Sequence, residues 1–356
     1  MSVTDRDDAE VLEGLSSQLA MKTLPRFAAG YSALIAAALT AVIVALTPAQ
    51  GIAGSLVILF LLYMVVQTGW SFAVEGRRFA VDRLATTLVT TMFMIALAAL
   101  VWIITSVVIR GLSSFSVDFL TSTMRNVSPL REGGGLLHAL VGTLEQVGMA
   151  ALIAVPISIL VAIYLVEYGR GKLSTWVTFF VDVMTGVPSI VAGLFIYTFW
   201  VLTFGFERSG FAASLALTIL MIPVIVRSTE EMLKIVPNDL REASYALGVP
   251  KWKTILRIVI PTAFGGIVTG IMLSIARVAG ETAPLLLTTF LSQSMNGNLM
   301  AGPQASIPTF VWDQISSGTP ASIDRAWAGA LVLILVVVIF YGLARLVAKL
   351  TAPASE

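Results

Sequence analysis

The sequence predicts an all-α polytopic membrane protein with about eight transmembrane helices and both termini in the cytoplasm. Three observations carry that expectation. Hydrophobic residues make up 57% of the 356 and charged residues only 12%, far too apolar a balance for a soluble domain of this length. Several apolar runs reach eighteen residues or more, enough to cross a bilayer as helices. The ten-residue alternation of a membrane barrel is absent.

The N-terminal segment 1–27 is polar and mildly acidic, unlike the basic leader of a cleaved signal peptide, so the first apolar run is expected to be retained. Spans are expected near 28–47, 52–74, 84–109, 136–166, 175–204, 211–228, 264–288 and 326–347. Basic residues set their direction. With the N-terminus inside, sixteen of the 22 Lys and Arg face the cytoplasm, five face outward, and Arg277 falls within a span.

The first two spans form a hairpin domain, 28–78, closed by a tight turn at 47–51. It carries no central charge and is expected to pack through Ala36, Ala37 and Ala38. The basic loop 76–83 separates it from a core at 79–349, with a tail at 350–356. An outer loop, 110–135, ends in Gly133-Gly134-Gly135 and is expected to hinge onto the next helix. No Walker phosphate-binding pattern occurs there or anywhere else. His138 is expected at the membrane interface, a pH-sensing role being the alternative.

Pro156, Pro188 and Pro223 interrupt later spans. Membranes tolerate such breakers where neighbouring helices or water satisfy the backbone, and several together indicate a bundle that moves. Glu145 and Gln146 read either as packing residues near the interface or as pathway residues, and Asp182 divides the same way. The outer loop 289–325 is expected to be irregular, with its apolar part at 307–312 against the outer mouth, as a docking surface or a passive lid. With a net charge of +1 nothing argues for nucleic acid. The lack of cysteine excludes disulfides and thiolate metal sites. A single histidine argues against zinc or haem, and no nucleophile–base pair marks an enzyme. No cofactor is expected in this chain.

Two polar features remain. Residues 238–261 read as two short amphipathic helices joined by a bend. Asn238 caps the first and Leu240, Ala243, Ser244 and Leu247 form its stripe. Gly248 ends it in the left-handed region and Pro250 opens the second, whose apolar face is Trp252, Ile255, Leu256 and Val259. Such a pair between spans needs a soluble partner to dock against. The second feature is Arg277 and Glu281, four residues apart and expected on one helix face. Each costs about 2.5–3.5 kcal/mol against lipid at the bilayer centre. They form either an ion pair to another helix or part of a pathway in which the guanidinium offers forked donors to a tetrahedral oxyanion.

Glu242-Ala243-Ser244, then Gly248 after three residues, then Ile258-Val259-Ile260-Pro261 after nine more, resembles the EAA loop of ABC-importer permeases. Ser244 and Ile260 are the departures. The runs at 164–169, 187–198, 223–253 and 276–286, with the glycines at 133–135, resemble the phosphate-type permeases in particular, from about residue 84 to 348. The resemblance implies a type I importer permease with a six-helix core, to which the hairpin 28–78 is extra, in the inner (cytoplasmic) membrane of a bacterium. It implies an EAA loop at 229–263 that couples to an ATPase through Glu242, Ala243, Ser244, Gly248, Ile258 and Pro261. It also implies a phosphate pathway at Arg277 and Glu281, and less directly at Arg227. The partners it implies are a PstB-type ATPase dimer that binds ATP and Mg, a PstC-type sister permease, an extracytoplasmic phosphate-binding protein and membrane lipid. A permease for sulfate or molybdate is the alternative.

Overall fold

A computed structural model describes residues 23–46 and 51–351. The expected turn at 47–50, the polar segment 1–22 and residues 352–356 lie outside the described residues. No strand occurs among those described. Seven helices are long and apolar enough to cross a membrane, and a bent pair makes an eighth candidate. The chain divides into two compact units, Met1–Ile103 and Ile104–Glu356.

In the first unit, α1 (Ala28–Leu46) pairs with α2 (Ile52–Glu75). Helix α1 buries Ala28, Ser32, Ala36 and Thr40, one position every four residues and so one stripe of small side chains. Ala37 and Ala38 are exposed; helical geometry turns them away from the stripe that Ala36 occupies. Glu75 closes the base of the hairpin. It accepts from the Leu24 amide at 2.8 Å and from the Ser71 hydroxyl at 2.7 Å. Arg83 meets both of its oxygens, each at 2.7 Å, the forked geometry that favours a carboxylate. Only Gly76, at φ +88°, separates α2 from α3 (Arg77–Ser114). The expected basic loop at 76–83 is therefore mostly the first turns of α3, whose 38 residues run for roughly 57 Å.

The second unit is built around α8 (Gly210–Ile235), 61% of whose apolar window is buried. It packs against α5 (Leu137–Ile163) and α11 (Ile260–Ala279). Small residues at Ala212, Ala213 and Ala216 give way along α8 to Leu217, Met221 and Ile225, all fully buried. Pro223 and Pro156 are accommodated inside their helices. The expected single span at 175–204 is instead two pieces, α6 (Lys172–Thr185) and α7 (Ser189–Ile196) with its π-wound continuation Tyr197–Thr203, bent by 106°. Gly186 caps α6, and Pro188, which has no amide hydrogen to donate, starts α7.

The glycine cluster before α5 is clamped, not a hinge. A side chain on Gly135 would lie 2.4 Å from the Phe119 carbonyl oxygen. That oxygen accepts from the Leu136 amide at 2.7 Å, so α4 (Val117–Thr121) seats against the start of α5. Arg325, buried in α14 (Pro320–Thr351), donates to the carbonyls of Arg131 at 2.8 Å and of Pro129 and Gly133 at 3.2 Å. The outer segment 307–312 is also ordered differently from expectation. It belongs to α13 (Ile307–Ser317), opened by a Ser306–Thr309 capping box. Ile307 and Phe310 are buried with Phe119, Met124 and Leu136. His138 lies buried in that core. It is 3% exposed and set edge-on to Phe310, and neither ring nitrogen has a partner among the described residues. Gln146 donates to Gln304 at 3.0 Å, and Gln304 in turn donates to Glu145. Both α5 residues therefore hold the segment that leads into α13.

Candidate functional site

The segment 238–261 is an elbow. Its first arm is α9 (Asn238–Ala246). Pro237, not Asn238, occupies the capping position and no side chain caps the first turn. Proline fixes the extended backbone that a cap requires, which moves Asn238 into the helix. At the other end the Gly248 amide donates to the Tyr245 carbonyl at 2.9 Å, and the Val249 amide to Ser244 at 3.2 Å. With Gly248 at φ +77°, this is a Schellman ending, in which glycine adopts the left-handed region without steric cost.

The second arm is not a separate short helix. Helix α10 (Lys251–Thr254) continues through the π-wound turn Ile255–Val259 into α11, one apolar helix from Lys251 to Ala279. Pro261 lies in the first turn of α11. It cannot donate to the residue four back and its ring crowds that carbonyl; the wider π turn relieves both. The two arms are pinned by a 2.8 Å contact between the buried hydroxyls of Ser244 and Thr254. The residue that departs from the EAA pattern thus joins the arms.

The elbow grips the end of α5, which finishes in the π-wound turn Tyr164–Tyr168. Arg241 donates through Nε to Glu167 at 3.0 Å, and its other nitrogens reach the carbonyls of Val236 at 2.6 Å and Leu233 at 2.9 Å. The side chains of Arg241 and Glu167 are 11% and 5% exposed. Lys251 donates to the Glu167 carbonyl and lies 4.8 Å from the Tyr168 ring centroid. Both arms therefore hold the same five residues. Sequence reasoning missed Glu167, Arg241 and Lys251 in this role; a lone carboxylate ending an apolar run was the available signal.

Of the expected stripes, Ser244, Ile255 and Val259 turn inward, Val259 against Leu233 and Val236. Leu240, Leu247, Trp252 and Leu256 turn outward, Leu247 at 83% and Trp252 at 59% exposure. Glu242 is exposed and unbonded among the described residues. The result is a rigid elbow with an uncovered apolar face.

At the far end of α11 the expected Arg277–Glu281 pair on one helix face does not form. Helix α11 stops at Ala279, Gly280 caps it, and Glu281 lies in the link to α12 (Ala283–Thr288). Glycine and the approaching Pro284 make the helix hard to continue. Arg277 is exposed and Glu281 half-buried, and neither has a bonded partner among the described residues. Helix α12 lies along α7, where a side chain on Gly193 would come within 2.5 Å of the Pro284 Cα. Two interrupted helices are thus packed together beside these charges, the arrangement in which membrane proteins place polar groups without lipid contact. Arg227 is elsewhere engaged. It pairs with Asp182 and, at 2.7 Å, with Glu230, which also holds Lys234 at 2.7 Å. No hydrogen bond or ion pair joins Arg227 to Arg277 or Glu281 among the described residues.

The family model "Binding-protein-dependent transport system inner membrane component" matches residues 154–352, the stretch that contains both the elbow and the charged break. The chain belongs to the binding-protein-dependent transport permeases. It is a multi-pass inner-membrane protein, as the apolar helices require. Among curated relatives, the phosphate transport system permease protein PstA 1 of Mycobacterium tuberculosis is 51% identical over 73% of this chain and 86% of its own length. PstA of Yersinia pestis is 40% identical over 75% and 89%. A permease-type fold is shared with a chain of a bacterial alginate ABC transporter, solved with its alginate-bound periplasmic protein. That match has a TM-score of 0.52 at 14% identity and covers 77% of this chain and 97% of the other. The expected permease family is borne out.

Proposed function

We infer that this chain is the transmembrane permease subunit of an ATP-driven importer of inorganic phosphate. The observation that carries this is the identity of half the aligned residues with a phosphate transport system permease over most of that protein's length. The chain forms half of the translocation pathway with a PstC-type sister permease. An extracytoplasmic phosphate-binding protein delivers the substrate. A PstB-type ATPase dimer, which binds ATP and Mg, docks on the elbow.

In this reading the elbow faces the cytoplasm with both termini. The apolar face of Leu247, Trp252 and Leu256 enters the ATPase, with Glu242, Ala243, Ser244, Gly248, Ile258 and Pro261 setting its shape. Arg277 offers a forked set of donors to phosphate, and Glu281 beside it keeps the attraction from holding the ion too long. Arg227, committed to Asp182 and Glu230, acts on the pathway through those partners. The test is reconstitution of all four components in vesicles. Phosphate uptake that needs both ATP and the binding protein is expected. Equal uptake of sulfate, or uptake without the ATPase, overturns the reading.

A further inference from the structure

Beneath the elbow lies a cavity of about 360 Å³, lined by the end of α5, the loop after it, the end of α8 and both arms of the elbow. Its charged lining is lopsided. Arg170, Lys234, Arg241 and Lys251 face it against one carboxylate, Glu167, already bonded to Arg241. Arg241 spends its donors on Glu167 and on backbone carbonyls. The others keep capacity in reserve. Lys251 commits one donor to the Glu167 carbonyl and Lys234 one to Glu230, and each ammonium has three. Arg170 is exposed and bonds nothing among the described residues. The side chains of Asn238 and Tyr245, also in the lining, add neutral donors. Asn238 belongs to the first turn of α9, which no side chain caps, so the positive end of that helix's dipole is close to the cavity as well.

We propose that this cavity is a binding site for a phosphate-type oxyanion, separate from the transport pathway. A tetrahedral anion accepts from several directions at once, which matches donors converging from four elements. The same chemistry arrives from two sources, the headgroup of an anionic phospholipid or free inorganic phosphate. Either occupant bridges α5, α8 and both arms, and so fixes the elbow's position. The site stands on cavity geometry and charge, and does not depend on which solute the permease carries.

The test uses the full chain in a zwitterionic detergent. Inorganic phosphate binding is followed by phosphorus NMR, and retention of short-chain phosphatidylglycerol against phosphatidylcholine by native mass spectrometry. Saturable binding of phosphate or of phosphatidylglycerol is expected. It should weaken roughly tenfold or more when two cations near the membrane surface are removed in R170Q/K234Q, a variant that leaves the Arg241–Glu167 grip intact. The charge-preserving R170K/K234R should restore it, and R277Q should leave it unchanged. Phosphate alone bound assigns the free ion, and phosphatidylglycerol alone the lipid. No saturable binding of either, undiminished binding in R170Q/K234Q, or loss in R277Q instead overturns the proposal.

Discussion

The two ends of the helix from Lys251 to Ala279 treat charge in opposite ways. At the elbow end, Arg241 and Glu167 are buried together, Arg241 is saturated by carbonyls, and Lys251 is fixed to the same turn. At the other end, Arg277 and Glu281 bond nothing among the described residues. Buried charges fully committed to neighbours hold architecture in place. Charges left unbonded in an apolar chain are costly and mark function. On the proposed function, the contrast separates a mechanical end from a chemical one.

The sharpest way to break that comparison is Arg277→Gln. It is expected to lower phosphate uptake by about a hundredfold, the loss of a transition-state contact worth roughly 2.7 kcal/mol, while the complex still assembles. Loss of assembly, read by co-purification of the subunits, would make Arg277 architectural and erase the contrast. Next in size is Glu167→Gln. Removing one member of a buried pair costs about 3–5 kcal/mol locally, so the grip on α5 should fail. ATP hydrolysis is expected to persist while uptake drops about tenfold. Glu167→Gln with Arg241→Gln should recover part of the loss, because no unpaired buried charge remains. Absence of any coupling between the two substitutions would show that the grip transmits nothing.

Gly248→Val tests the bend. A β-branched residue in the left-handed region costs about 1–2 kcal/mol, and the elbow should shift enough to halve uptake or worse without loss of folded protein. Normal uptake would mean that the docking surface tolerates a reshaped bend. The smallest effect belongs to Ser244→Ala. It removes the hydroxyl contact with Thr254, about 1 kcal/mol, and restores the residue usual in the EAA pattern. A slight fall in melting temperature and near-normal uptake are expected; a large uptake defect would make the pin between the arms essential.

Much of this was legible in the sequence because it rests on local chemistry. Apolar runs gave seven of the expected spans, and the Gly248 turn followed from glycine's access to positive φ. The family followed from the spacing of Glu242, Gly248 and Pro261. What escaped depends on distant partners. The 106° bend replaced the expected span at 175–204 because an apolar run does not reveal whether a Gly-Val-Pro sequence kinks or breaks it. The glycines at 133–135 looked loose, since nothing nearby in sequence announces that Arg325, nearly two hundred residues on, holds the carbonyls of Arg131 and Gly133. The outer segment 307–312 looked like a surface patch because its burial comes from Phe119 and Leu136. Arg277 and Glu281 were placed on one face by counting; the cap at Gly280 overrode the count.

Because α10 and α11 are wound without a gap, Trp252 and Arg277 ride on one shaft of roughly 40 Å, at 1.5 Å per residue. A shaft carries torque without needing a joint along its length, and its one compliant collar is the wide turn at Ile255–Val259. On the proposed function, a stroke delivered at the tryptophan reaches the arginine along this one helix. On that reading the gearing lies in five residues of loosely coiled backbone, and Pro261→Ala, which restores an amide donor, is expected to tighten them.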